Sequence, residues 1–268
     1  MLDLINIYKK DHGKTKKSLG QHFLLNNYVL KLVIEHASIV KGDNVIEIGP
    51  GCGALTQLLL EQDAHVVAVE IDEGLFSFLK RHLFFYPNLE IINKDFLEMD
   101  ISATMKKVKF VGNLPYNLST KILTHCSSFI EKIEVMIFMF QKEVADRIMA
   151  KPKTKNYSSL SVYCQYFYDM KQLIKISGSN FWPSANVYST LIRFIPKKCY
   201  FTEKENEKNF FDFLRRCFRL KRKILKNNLR DFPSLEESLK VMGKDINARA
   251  EELTVEEFIK LFELLYDV

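Results

Sequence analysis

Apolar residues in this chain fall into short continuous runs separated by segments of helical period. From residue 43 the order is NVIEIG then ALTQLLLEQ, HVVAVEI then GLFSFLKRHL, LEIIN, KFVGN then STKILTHCSSFI, and VMIFMF then KEVADRIMA. Unbroken Val/Ile/Phe runs predict strands buried on both faces, because a sheet with one wet face would alternate apolar with polar. Runs of this kind with helices between them predict an α/β fold, a doubly wound and mostly parallel Rossmann-like sheet. MKQLIKI and STLIRFI are two further strands, expected as an antiparallel edge pair. After IPKKCYFTEKENEK the pattern becomes helical without strands, as in FFDFLRRCFRLKRKILKNNL and TVEEFIKLFELL. A boundary near residue 200 is expected, with a main domain over 1–200 and a small all-helical domain over 201–268.

The 268 residues, 47% of them hydrophobic, are enough for a sizeable core. The net charge of +6 permits an anionic partner without requiring one. Its distribution is more informative. Residues 201–268 hold 14 basic and 14 acidic side chains, so the surplus lies upstream; yet RRCFRLKRKILKNNLR (215–230) has eight basic residues and no acidic one. The five cysteines are odd in number, without a CxxC pair or a His at metal-ligand spacing, so reduced thiols in a cytoplasmic protein are expected, with no metal. VMIFMF is far too short to span a bilayer and MLDLINIYKK lacks a signal-peptide core, so no membrane role is expected. No dimer-forming heptad is visible, and a monomer is expected.

Three successive strand ends carry candidate chemistry. VIEIGPGCGALT (45–56) runs from a strand through Gly49, Gly51 and Gly53 into a helix, a place where the backbone turns sharply and approaches a ligand closely. The spacing is GxGxG and not the GxGxxG of dinucleotide folds, and a tight turn without ligand is the alternative. Glu70 ends the next strand, 21 residues after Gly49, near the spacing at which a carboxylate accepts from ribose hydroxyls. Asp72 competes with it, and a solvated strand-end charge is the alternative for either. Asp95 ends the third strand, where it can accept from an adenine amine with Phe96 beside the ring. A Walker loop is absent, since the GKT in DHGKTKK (11–17) lacks its upstream glycine and strand, and nothing marks a nicotinamide site. S-adenosyl-L-methionine, an adenosyl ligand without phosphate, is the better candidate.

At the end of KVKFVGN stands NLPY (113–116). An adenine exocyclic amine is a poor nucleophile because its lone pair is delocalised into the ring. If Asn113 Oδ1 and the main-chain carbonyl of Leu114 or Pro115 accept its two hydrogens, the lone pair is freed and the charge that develops on methylation is stabilised. Pro115 fixes the backbone, and Tyr116 offers a face for a splayed-out base. A strand-ending turn is the structural alternative.

With these residues in place, the chain resembles the rRNA adenine N6,N6-dimethyltransferase family, in its small-subunit branch. The resemblance is carried in order by KSLGQHFLLN, VIEIGPGCGALT, VVAVEID, NKDFLEMD, VGNLPYNLST, FQKEVADRI, YSSLSV, RCFRLKRKILKNNL and INARAEELTVEEF, from residue 16 to about 262. It implies a class I S-adenosylmethionine-dependent methyltransferase fold and a cofactor pocket of Gln21, His22, Leu24, Gly49, Glu70, Asp95 and Asn113, to which the strand-end reading adds Gly51 and Phe96. It implies transfer of two methyl groups to each of two adjacent adenosines near the 3′ end of 16S rRNA in an immature small subunit. The aromatic-proline loop, F-x-P-P-P-K-V-x-S in the family, reads FWPSANVYS here (181–189), so Ser184 and Ala185 replace prolines and Asn186 replaces a lysine. Phe181 is expected as the second face of a base sandwich with Tyr116, the alternative being a core phenylalanine. Arg215, Arg216, Arg219, Lys221, Arg222 and Lys223 are expected to hold RNA phosphates in the helical domain. The rival readings are a macrolide-resistance type methyltransferase of large-subunit rRNA, a factor acting chiefly in ribosome assembly, and, more remotely, a DNA amine methyltransferase.

Overall fold

A computed structural model describes residues 3–12, 15, 21–101, 107–220 and 223–267. KSLG of the first motif, Lys221 and Arg222 lie outside them. The chain forms two compact units, one of residues 1–145 with 170–196 and one of 146–169 with 197–268. The segment 146–169 therefore joins the helical unit, a division that a single boundary near residue 200 does not describe. Its hydrogen bonds account for this: the Lys153 N–H donates to the Glu251 carbonyl, and Tyr166 Oη accepts from the Phe201 N–H while donating to Glu207.

The first unit is built on a sheet of β2 (Asn44–Ile48), β3 (His65–Glu70), β4 (Leu89–Asn93), β5 (Val108–Asn113), β6 (Ile133–Gln141), β7 (Tyr168–Ile176) and β9 (Ser189–Pro196), in the order β4-β3-β2-β5-β6-β9-β7. The pairs β2/β3, β3/β4, β2/β5 and β5/β6 are parallel and β6/β9 is antiparallel. The unbroken apolar runs have the predicted cause: β5 and β6 are buried almost throughout, while the edge strand β4 is half exposed. Chain order reverses between β2 and β5, and in open sheets of this kind the carboxyl ends flanking that reversal form a ligand crevice.

Helices α2 (Asn27–His36), α3 (Ala54–Glu61), α4 (Glu73–Leu83) and α5 (Ser119–Ser127) alternate with the strands. Asp72 caps α4, its carboxylate accepting from the N–H groups of Gly74 and Leu75. An N-terminal helix α1 (Leu4–His12) buries Leu4, Ile5 and Tyr8 against Phe23, Cys52, Leu75, Phe78, Leu79 and Leu83. The two-residue strands β1 (Phe23–Leu24) and β8 (Phe181–Trp182) pair antiparallel, Phe23 with Trp182 and Leu24 with Phe181.

The helical unit packs α8 (Lys204–Cys217) and α11 (Val255–Tyr266) around Phe210, Phe213, Phe258 and Phe262, all fully buried. The run 210–229, helical throughout by its periodicity, is interrupted. Asn228 ends α8 from a distance, its Nδ2 donating to the carbonyls of Cys217 and Leu220 and its Oδ1 accepting from the Leu220 N–H. The chain resumes as a short α9 (Leu225–Asn228).

Candidate active site

The carboxyl ends of β2, β3, β4 and β5 open onto one cavity, lined by residues between Gln21 and Ile122. At the first strand end, Gly49 and Gly51 have φ of +66° and +57°. A side chain on Gly51 would also meet the Phe23 ring at 2.7 Å, whereas at Gly49 the space is open. Gly49 thus leaves the backbone bare towards the cavity, while Gly51 lets Phe23 pack over the loop.

At the second, the buried Glu70 carboxylate accepts from the N–H of Gly51 at 3.2 Å and of Asp72 at 2.9 Å. Burial raises its pKa to about 7 against the lowering effect of these bonds. Asp72 does not share that role in the structure: one oxygen caps α4 and the other accepts from Gln21 Nε2 at 2.9 Å. Glu70 lines the cavity and Asp72 does not. At the third, Asp95 Oδ1 accepts from the Leu97 N–H at 2.9 Å, and Phe96 is held edge-on by Phe110 and His125. Both line the cavity, with Lys94 beside them.

The fourth strand end is NLPY. Asn113 Nδ2 donates to the His22 carbonyl at 2.7 Å, which fixes the amide so that Oδ1 is turned away from that carbonyl as an acceptor. Pro115 offers the weaker main-chain alternative, because its carbonyl already accepts from the Leu118 N–H at 3.0 Å; this favours the Leu114 carbonyl. The Tyr116 hydroxyl lies 3.1 Å from Ser189 Oγ, and its ring stacks with His22 at 5.6 Å between centroids.

Two residues are placed elsewhere. The Leu24 side chain is buried beside a second cavity, behind the glycine loop, and does not line the first. Phe181 is 2% exposed and belongs to the core with Leu24, Ile176 and Leu191; the ring found against Tyr116 is His22. A Phe beside a proline loop reads alike in sequence whether it faces a core or a ligand, and here its strand pairing with Leu24 carries it inward. Sequence reasoning also missed Glu47, a fully buried carboxyl lining the second cavity, which accepts from Thr56 Oγ1 at 2.6 Å and whose pKa burial raises to about 8. A charge within a continuous strand run, VIEIG, was its visible signal.

In the helical unit the basic stretch is less bare than its sequence suggests. Arg215 pairs with Asp212, Arg216 with Asp231 while lying over the Phe232 ring, and Lys226 with Glu236. Arg219, Lys223 and Arg230 are exposed and have no ion-pair partner among the described residues. Among those residues no helix is long and apolar enough to cross a membrane, and no cluster of His, Cys, Asp and Glu is suited to a metal.

Comparison with known proteins agrees with this geometry. The family model described as ribosomal RNA adenine dimethylase matches residues 12–267. A curated protein of Sulfurihydrogenibium sp. (strain YO3AOP1), ribosomal RNA small subunit methyltransferase A, is 37% identical over 253 residues, covering 93% of this chain and 95% of its own. Among solved structures, a dimethyladenosine transferase from Plasmodium falciparum superposes with a TM-score of 0.75 at 27% identity, covering 90% of this chain and 96% of the other. The 23S rRNA methyltransferase ErmE follows with a TM-score of 0.71 at 26% identity, covering 91% and 99%.

Proposed function

The chain belongs to the ribosomal RNA adenine dimethylase family, and from that premise we propose that it dimethylates the N6 amines of two adjacent adenosines near the 3′ end of 16S rRNA. It is an S-adenosyl-L-methionine-dependent enzyme that acts on small-subunit rRNA. The proposal includes its setting: a monomer in the cytoplasm, meeting the RNA in an immature small subunit. The observation that carries it is the orientation of Asn113, whose amide is tied by its donor side to His22 and leaves its acceptor for an amine.

The cavity fits the cofactor. Its lining holds the bare Gly49 backbone and carboxylates at two strand ends, and among the described residues Lys94 is its one Lys or Arg, a donor set suited to an adenosyl ligand without phosphate. The cofactor, when bound, supplies an electrophilic methyl group on a sulfonium sulfur. We assign the ribose hydroxyls to Glu70, the adenine amine to Asp95, the adenine edge to Phe96, and close main-chain approach to Gly49 and Gly51. Gln21 acts one step back, by holding Asp72 at the start of α4. Asn113 Oδ1 and the Leu114 carbonyl accept the target amine's hydrogens, draw its lone pair out of the ring, and oppose the positive charge that forms on nitrogen. Tyr116 carries the base. Proximity and charge stabilisation account for the step without a strong base, since the methylated ammonium loses its proton to water.

Glu70 makes cofactor binding dependent on pH. Its folded pKa of about 7 stands above the usual 4.5, so the folded state holds this proton more tightly and its contribution to stability falls as pH rises between those values. Above about 7 both oxygens accept fully, so affinity for S-adenosylhomocysteine is expected to rise as pH passes through that value. Calorimetry from about pH 5.5 to 8.5 checks this, with Glu70→Gln expected to flatten the profile. An unchanged profile in that variant would assign the titration to another group.

The function itself is tested by transfer of labelled methyl groups to undermethylated small subunits, followed by mass analysis of the adenosines. Two adjacent dimethyladenosines are expected. Failure to transfer with cofactor binding intact would favour an assembly factor, and modification of naked large-subunit rRNA would favour the macrolide-resistance type.

A further inference from the structure

Val187 and Tyr188 stand in water side by side, Tyr188 with 57% of its surface exposed, at the end of the sheet that carries NLPY. Strand β6 runs parallel to β5 with Met139 beside Asn113, and two residues further on Gln141 pairs with Ser189 at the start of β9. The Lys142 N–H donates to the Tyr188 carbonyl at 2.8 Å, which fixes the main chain of Tyr188 and sets an exposed lysine opposite it. Ser189 is fully buried, its Oγ 3.1 Å from the Tyr116 hydroxyl. Successive side chains of an extended chain point to opposite sides, so Ser189 turns to the tyrosine of the site while Tyr188, one residue earlier, turns to solvent.

The loop that leads to Tyr188 is held at its other end as well. His22 Nδ1 donates to the Pro183 carbonyl at 2.7 Å. The Ala185 N–H, which a proline would lack, donates to the Gly178 carbonyl at 3.1 Å, and Ser184 Oγ donates to the same oxygen at 3.1 Å. A Cβ on Gly178 would lie 1.8 Å from the Ala185 carbonyl oxygen, so only glycine lets the loop close there. Hydrogen bonds replace ring rigidity. In the pattern F-x-P-P-P-K-V-x-S the position of Tyr188 is open and the one before Val187 is a lysine; here that lysine is Asn186, and the exposed group of the loop is an aromatic ring.

We propose that Tyr188 binds the nucleotide next to the flipped adenosine, its ring stacking on that neighbour's base outside the cavity. This rests on the rRNA adenine reading above. A base drawn into the site leaves its neighbour without a stacking partner, and an aromatic ring on a fixed main chain at the rim restores one. Because the main chain is set before RNA arrives, less freedom is lost on binding than a mobile loop would lose. Stacking uses the face of a base and not its edge, so the ring accepts a dimethylated adenosine as readily as an unmodified one. Two adjacent targets make that tolerance necessary, since the neighbour of the second target has already been modified.

The test measures methyl transfer against the concentration of undermethylated small subunits, and binding of S-adenosylhomocysteine by calorimetry, for the unmutated chain, Tyr188→Ala, Tyr188→Leu and Tyr188→Phe. Loss of one base–aromatic stack predicts a KM for subunits raised about five- to tenfold in Tyr188→Ala, with kcat and cofactor affinity within about twofold. Tyr188→Phe is expected to keep the unmutated KM, and Tyr188→Leu, which is apolar but has no aromatic face, to stay close to alanine. Two results would overturn the proposal: an unchanged KM in Tyr188→Ala, or a leucine that restores KM as fully as phenylalanine, which would make the contact a general apolar one. Failure of the underlying reading shows differently, as an unmutated chain that forms no dimethyladenosine on the same subunits.

Discussion

Asn113→Ala is expected to slow methyl transfer by about 10²- to 10³-fold, the loss typical when one preorganised group facing a developing charge is removed. Two functions are joined in this side chain. Its Nδ2 donates to the His22 carbonyl, and that bond leaves Oδ1 as the acceptor on which the proposed step relies. Alanine removes the acceptor but leaves β5, the Pro115 to Leu118 turn and the glycine loop intact, so the fold and affinity for S-adenosylhomocysteine should change far less than the rate. Asn113→Asp is the sharper variant. A carboxylate is a better acceptor than an amide, yet it has no donor for the His22 carbonyl, and two oxygens at 2.7 Å repel. The aspartate must turn or take up a proton, so it is expected to be nearly as slow as alanine. Single-turnover transfer to small subunits checks both; an aspartate variant that transfers at the unmutated rate would mean that charge on the acceptor suffices and that its orientation does not matter.

The strand framework was legible because burial on both faces writes a continuous apolar run, and the site was legible because parallel strands bring their carboxyl ends together however far apart they lie in sequence. Gly49, Glu70, Asp95 and Asn113 therefore reach one cavity as spacing suggested. The β1/β8 pair was not legible. Two residues carry no periodicity, and the bond from His22 to Pro183 spans 161 positions. That same pairing takes Phe181 into the core and delivers His22 to Tyr116. The break in the basic run escaped for a related reason: the residue that ends α8 is Asn228, eleven positions beyond Cys217, and a remote cap leaves no local signal.

Reversing two exposed cations of the helical unit, Arg219→Glu with Lys223→Glu, is expected to weaken subunit binding about 100-fold at moderate salt and to flatten its salt dependence by about two units of slope, one for each phosphate contact. The sequence alone offers eight equivalent charges between 215 and 230, but the structure ranks them. Arg215, Arg216 and Lys226 stand opposite carboxylates from outside the stretch, so their fields are largely offset nearby. Arg219, Lys223 and Arg230 have no such neighbour among the described residues, and an uncompensated charge at the surface is what a phosphate can exploit. Arg216→Glu separates the two roles. It places a second carboxylate against Asp231 and removes a cation from the Phe232 ring, so it should lower thermal stability more than Arg219→Glu does. Subunit binding at two salt concentrations, with melting of each variant alongside, checks the ranking. Equal salt slopes for the double variant and the unmutated chain would remove this face from the RNA interface and leave the paired arginines as structural.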